Sequence, residues 1–221
     1  MTTIDYTEYK CPLCGHTHTT DFMTSTSAFR GPDLDGRPSP LARQTIYLHI
    51  NECPNCGFAS LGIPDSTTVS RDFVESEAYI NCEGINFKSD RAKVFYRVFL
   101  ISKEEGNPYS TLSNLINCAW VCDDDGDEEN SINLRVRINE LFDSLFDFND
   151  KENDGVFITK IDIMRRAHLF DELIEELKDK TFDESFYTNL CKFQIEKAKE
   201  KDAGRYTCDD VEGYHEFRYG R

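Results

Sequence analysis

Two copies of the knuckle Cys-Pro-x-Cys-Gly constrain this chain more than any other feature: KCPLCGHTH at residues 10–18 and NECPNCGFAS at 51–60. Each places two thiols two residues apart, so that a tight turn can aim both sulfurs at one ion with bonds of about 2.3 Å. Gly15 and Gly57 follow, where a positive φ lets backbone N–H groups point at the sulfurs. Four thiolates from Cys11, Cys14, Cys53 and Cys56 close a tetrahedral shell and leave no open position for water or substrate. The pattern predicts one structural zinc ion (Zn2+) in a small ribbon. A dithiol redox couple competes with it, but such couples sit at the start of a helix in a βαβ context, which neither knuckle has. His16, His18 and His49 read as ordinary strand residues, because four cysteines already complete the shell.

Charge is unevenly distributed. Residues 1–64 hold four basic and six acidic residues, whereas 65–221 hold 21 basic and 35 acidic, so most of the net charge of −16 lies in the second part. The asymmetry suggests two modules, a four-cysteine zinc ribbon with its PDLDGRP loop at 1–64 and an acidic helical-hairpin region at 65–221. An acidic surface repels phosphate backbones, which argues against nucleic acid even though Arg30, Arg37 and Arg43 lie near the ribbon. No run of eighteen apolar residues and no signal-peptide pattern occurs, so a cytoplasmic protein with no membrane attachment is expected. An odd count of nine cysteines also suits a reducing compartment.

Periodicity divides the chain at about Pro64. In TIYLHI at 45–50 the residues Ile46, Leu48 and Ile50 alternate with Thr45, Tyr47 and His49, which predicts a half-buried strand. Beyond Pro64, apolar residues recur at steps of three and four in Leu112, Leu115, Ile116 and Ala119, in Leu134, Ile138, Leu141, Phe142 and Leu145, and in Phe170, Leu173, Ile174 and Leu177. VFYRVFLI at 94–101 reads as a buried helix despite its β-branched content, since Ser89 and Asp90 supply a cap and an acidic first turn. Breaks near 104–108, 123–130, 149–155 and Lys180 give about six or seven helices in successive hairpins. The expected fold is α+β, mainly α: a small N-terminal β zinc ribbon, then a helical solenoid or bundle of tetratricopeptide-like kind. Cys82, Cys118, Cys122, Cys191 and Cys208 read as buried structural thiols. The acidic loops DDDGDEEN and NDKENDG lack essential positions of an EF-hand and read as solvated connections.

The segment GPDLDGRPSPLAR at 31–43 is the least ordinary stretch. On an extended chain Asp33, Asp35 and Arg37 project to one side, placing two carboxylates beside a guanidinium. That cluster is either a ligand or substrate site or a self-satisfied network that pins a long loop through bidentate Arg contacts.

With its CPxCG pair flanking PDLD-x-RP, its acidic helices bearing RRAHLFDELIEEL and its terminal EKAKEKDAGRYTCDDV, the chain resembles an uncharacterised family of bacterial proteins. In that family a zinc ribbon precedes a tetratricopeptide-like helical region. Arg30 and Gly31, before the PDLD segment, depart from its pattern. The resemblance implies fold and metal and carries no activity. The expectation is therefore an adaptor or scaffold that is not an enzyme and binds another protein through its helical region, one with a basic segment suited to the acidic helices. The alternative is an enzyme or small-ligand sensor built on Asp33, Asp35 and Arg37. A pocket lined by the two aspartates would favour the alternative, and a smooth, filled junction would favour the adaptor.

Overall fold

The computed structural model describes residues 2–220, the Leu41 side chain excepted. The fold is α+β and mainly α, with two small antiparallel strand pairs near the N-terminus. Strand β1 (Thr3–Lys10) pairs with β2 (Thr17–Ser25), and β3 (Ile50–Glu52) pairs with β4 (Ala59–Leu61). The registers end at Lys10 opposite Thr17 and at Glu52 opposite Ala59, so each cysteine knuckle is the turn of its own hairpin.

A short helix α1 (Pro40–Arg43) runs into a 3-10 turn over Gln44–Leu48 before β3. The strand expected over 45–50 is therefore corrected: only Ile50 is in a strand. The physical reason lies in tertiary partners that alternation cannot report. Thr45 Oγ1 donates to the Ala42 carbonyl at 2.6 Å and the His49 N–H to that of Ile46, which closes helical turns. Tyr47 lies under the Arg91 guanidinium, 4.3 Å from its ring centre, and donates its hydroxyl to Asp124 at 2.6 Å.

The helices that follow are α2 (Arg71–Val74), α3 (Glu77–Ile80), α4 (Asp90–Glu104), α5 (Pro108–Asp124), α6 (Glu128–Leu145), α7 (Asp154–Arg166), α8 (Phe170–Leu177), α9 (Ser185–Lys199) and α10 (Tyr214–Tyr219). Ser70, Ser76, Ser89 and Asn107 cap α2 to α5, each side chain accepting a first-turn N–H. Such caps contribute roughly 1 kcal/mol each. The helix expected over 94–101 lies inside α4, started by Ser89. Between α7 and α8, His168 takes φ +62°, a break that periodicity alone did not mark.

The chain divides into two compact units, residues 1–27 with 41–134, and residues 28–40 with 135–221. The PDLDGRP loop therefore groups with the C-terminal helices and not with the ribbon that flanks it in sequence. In the first unit α4 packs on α5, burying Phe95, Tyr96, Phe99, Leu115, Cys118, Ala119 and Cys122. In the second, α7, α8 and α9 enclose Phe157, Ile161, Met164, Leu173, Leu177 and Cys191. A separate cluster there joins Leu34 of the loop to Phe186, Leu190, Val211 and Tyr214. Among the described residues no helix is long and apolar enough to cross a membrane.

Candidate metal centre and loop-lined cleft

The two hairpin turns bring Cys11, Cys14, Cys53 and Cys56 together, with all four sulfurs within 4.8 Å of one another. Cys11 Sγ lies 3.7 Å from Cys56 Sγ, and Cys14 Sγ 3.6 Å from Cys53 Sγ. A tetrahedron with bonds of about 2.3 Å has edges of about 3.8 Å, so the spacing fits a single four-coordinate ion. The knuckles are built alike. Gly15 and Gly57 both take φ +73°, and their N–H groups donate to the carbonyls of Cys11 and Cys53 at 2.9 and 2.8 Å. It is other amides that reach the sulfurs: Leu13 and Cys14 at Cys11, His16 at Cys14, and Phe58 at Cys56. Burial pushes the Cys11 and Cys56 thiols up. At Cys14 desolvation is outweighed by hydrogen bonds from Asn55 and the His16 amide, which bring it down to about 6. A bound cation would hold all four as thiolates.

Beside the cysteine cluster, Tyr9 and Ser60 hydroxyls meet at 3.3 Å, and Tyr79 donates to the Gly57 carbonyl at 2.8 Å while accepting the Ala59 N–H at 3.0 Å. Tyr79, on α3, thereby anchors the second knuckle. The remaining cysteines are dispersed. Cys118 and Cys122 are buried on one face of α5, and burial first, then their mutual proximity, raises the Cys118 thiol well above its ordinary value.

In the second unit the PDLDGRP segment is a turn and not an extended strand. The Asp33 N–H donates to the Arg37 carbonyl and the Gly36 N–H to that of Asp33, at 2.8 and 2.9 Å, with Gly36 at φ +83°. The same-side projection expected for Asp33, Asp35 and Arg37 is corrected accordingly: a left-handed glycine followed by Pro38 closes the chain on itself. All three side chains are nonetheless buried. Asp35 accepts the Arg37 N–H at 3.2 Å, receives Arg166 Nη1 at 2.6 Å and lies 3.6 Å from Arg135 Nη2. Arg135 and Arg166 escaped the sequence reading. Their signal was a basic residue beside a core stripe: Arg135 adjoins Leu134 and stands one turn before Ile138.

Arg165 is a second buried hub. Its Nε donates to Gln194, its Nη2 to Asp162 at 2.6 Å, and its Nη1 to the carbonyls of Asp202 and Gly204 at 2.8 Å each. This pins the segment after α9 so that it can pair with the loop. Leu34 N–H donates to the Tyr206 carbonyl and Cys208 N–H to that of Pro32, at 3.0 and 2.8 Å, around an antiparallel bridge between Asp33 and Thr207.

Where loop, α7, α9 and α10 meet, a cleft of about 460 Å³ opens. Its walls are mainly apolar, from Leu34, Ile158, Phe186, Leu190, Tyr214 and Phe217 among others. Asp33 lines it and Asp35 does not. The Cys208 thiol in its wall is pushed to about 12 by burial and then by nearby carboxylates, so it stands neutral.

The acidic loop between α5 and α6 is less solvated than its composition implied. Asp127 is buried and accepts the Lys88 N–H at 2.9 Å, and Asp125 pairs with Arg91.

Neither the curated proteins nor the solved structures give a match to this chain. The model of the family described as "Uncharacterized protein conserved in bacteria (DUF2225)" matches residues 4–206. That span takes in both knuckles, the PDLDGRP turn, its buried arginine partners and the Arg165-held segment: the chain belongs to the DUF2225 family.

Proposed function

We propose that the protein is a zinc-stabilised binding protein, in which one zinc ion on Cys11, Cys14, Cys53 and Cys56 folds the hairpins and the second unit receives a small ligand beneath the PDLDGRP loop. Zinc is favoured because four soft thiolates in a closed, tetrahedral set suit a redox-inert ion that needs no further ligand. The cleft carries the ligand-binding reading. Its volume lies in the range of small-molecule sites, which are mostly apolar with a few placed polar groups. Of the two loop aspartates, Asp33 is in its lining and Asp35 is not, so the expected pocket lined by both is met only by half. The test is a titration of the full chain with anilinonaphthalenesulfonate. Dye fluorescence should rise on binding and fall away in Thr159→Trp, which fills the cleft from a half-buried helix position. An equal response from both proteins would overturn the reading.

The adaptor reading keeps one observation of its own. The β1–β2 hairpin exposes Ile4, Tyr6 and Phe22, and a two-stranded hairpin alone is only marginally stable in water. A protein partner with a basic segment would cover that face and meet a chain of net charge −16. Salt-dependent capture of a basic partner that is lost in Tyr6→Ser would support it.

A further inference from the structure

We infer that the ligand of this cleft is an apolar small molecule with a single acidic head, an inference that rests on the ligand-binding reading above. The charged residues that line the cleft are Arg30, Asp33 and Arg218. Asp33 is only 2 % exposed, so it presents little surface to a ligand. Arg30 and Arg218 are exposed residues of the cleft lining and the two cations there. Arg218 Nη1 lies 3.4 Å from the Arg30 backbone carbonyl oxygen and donates to the Tyr214 hydroxyl at 2.6 Å, which sets the Arg218 guanidinium beside the Arg30 backbone. Asp209, the carboxylate that acts on Arg218, is already engaged by the Gly31 N–H at 2.8 Å.

Two further features point the same way. Arg30 takes φ +72°, a left-handed conformation uncommon for a side-chain-bearing residue, and such conformations concentrate where function constrains the chain. Ser39, 4 % exposed in the cleft wall, has a hydroxyl with no hydrogen-bond partner among the described residues. Buried hydroxyls are normally paired. Besides the buried Asp33, the polar side chains of the lining are those of Arg30 and Arg218 and the hydroxyls of Ser39, Thr159, Tyr187 and Tyr214, set in an apolar wall, which suits a carboxylate or similar head on an apolar body. The unit as a whole carries 17 basic and 23 acidic residues, a field that works against an anion at distance. At physiological ionic strength that field is screened beyond about 8 Å, and the two local guanidiniums dominate.

The probes are decanoate, decanol and decylamine, which share a chain and differ in head group. Each is titrated against the full chain preloaded with anilinonaphthalenesulfonate. Decanoate should displace the dye about tenfold more tightly than decanol, the range expected of a charged hydrogen bond. Arg30→Ala with Arg218→Ala should erase that difference and leave decanol unchanged, with the melting temperature confirming that this exposed pair of changes leaves the fold intact. Equal binding of decanoate and decanol, or tighter binding of decylamine, would overturn the acidic head while leaving the cleft a binding site. Failure of all three to displace the dye, with Thr159→Trp also silent, would remove the ligand-binding reading and this inference with it.

Discussion

Arg166 Nη1 donates to Asp35 Oδ2 at 2.6 Å across 131 residues of sequence, with both side chains buried. The second guanidinium, of Arg135, lies 3.6 Å from the same oxygen. One carboxylate on a turn thus answers two buried cations on α6 and α7. Assembling such a cluster costs desolvation, but removing one member strands the others. Asp35→Asn should therefore destabilise the protein by roughly 3–5 kcal/mol, and Arg37→Ala by about 3 kcal/mol. Urea denaturation measures both. An unchanged midpoint accompanied by a lost ligand response would show that the loop charges serve binding alone.

Gly31 tests the fit between the loop and the C-terminal segment. A Cβ at this position would meet Tyr214 Cε1 at 2.8 Å, Cys208 Cβ at 3.1 Å and the Asp209 amide nitrogen at 3.2 Å. One of these is backbone, and the Tyr214 ring is buried, so relief requires the loop to move. Gly31→Ala should cost about 1–3 kcal/mol, the usual penalty of overpacking. A melting temperature equal to that of the parent protein would show that the segment yields freely.

The four-cysteine cluster and most helices were legible because their signals are local. Two thiols at fixed spacing carry their own geometry, and Ser89 marks the start of α4 whatever α4 packs against. Residues 45–50 misled because alternation reports a pattern of side chains without saying which backbone carries it; in the 3-10 turn Thr45 is the buried residue, while Ile46, Leu48 and Ile50 are half-buried like Tyr47 and His49. The PDLDGRP turn was visible as unusual, and its burial was one of the two outcomes weighed. Its partners escaped notice, since Arg135 and Arg166 lie about a hundred residues away or more and a basic residue beside a core stripe is a weak local signal. The cleft was beyond reach for the same reason: its walls come from 28–39, α7, α9 and α10.

For the metal centre the expected outcome is one equivalent of zinc per chain by elemental analysis, lost in Cys53→Ser. A structural zinc supplies on the order of 10 kcal/mol of folding free energy, and hairpins this small cannot replace it by apolar burial. Chelator should therefore expose residues 3–25 and 50–61 to proteolysis. Intact hairpins in metal-free protein would defeat this prediction.

Asp202 gives a pH dependence with a definite sign. Its carboxylate accepts the Tyr206 hydroxyl at 2.5 Å and the Gly204 N–H at 2.7 Å, and the Tyr206 bond, then the Gly204 bond, holds its pKa below the usual aspartate value. The same Tyr206 bond raises the tyrosine's own pKa, as a shared proton requires. A depressed folded pKa means that the contribution is complete above the unfolded value of about 3.9 and is lost as pH falls through the folded value. The segment it organises also offers the Asp202 and Gly204 carbonyls to Arg165, so protonation should loosen the turn at 202–206 before the helical core responds. Lowering pH from 5 to about 3 should speed exchange of the Gly204 amide relative to its intrinsic rate, while amides in the middle of α7 stay protected. Tyr206→Phe should shift the Asp202 titration, followed by carboxyl carbon chemical shifts, upward toward the unfolded value. An Asp202 titration indifferent to that change would place the cause elsewhere, with the Arg165 charge the next group to remove.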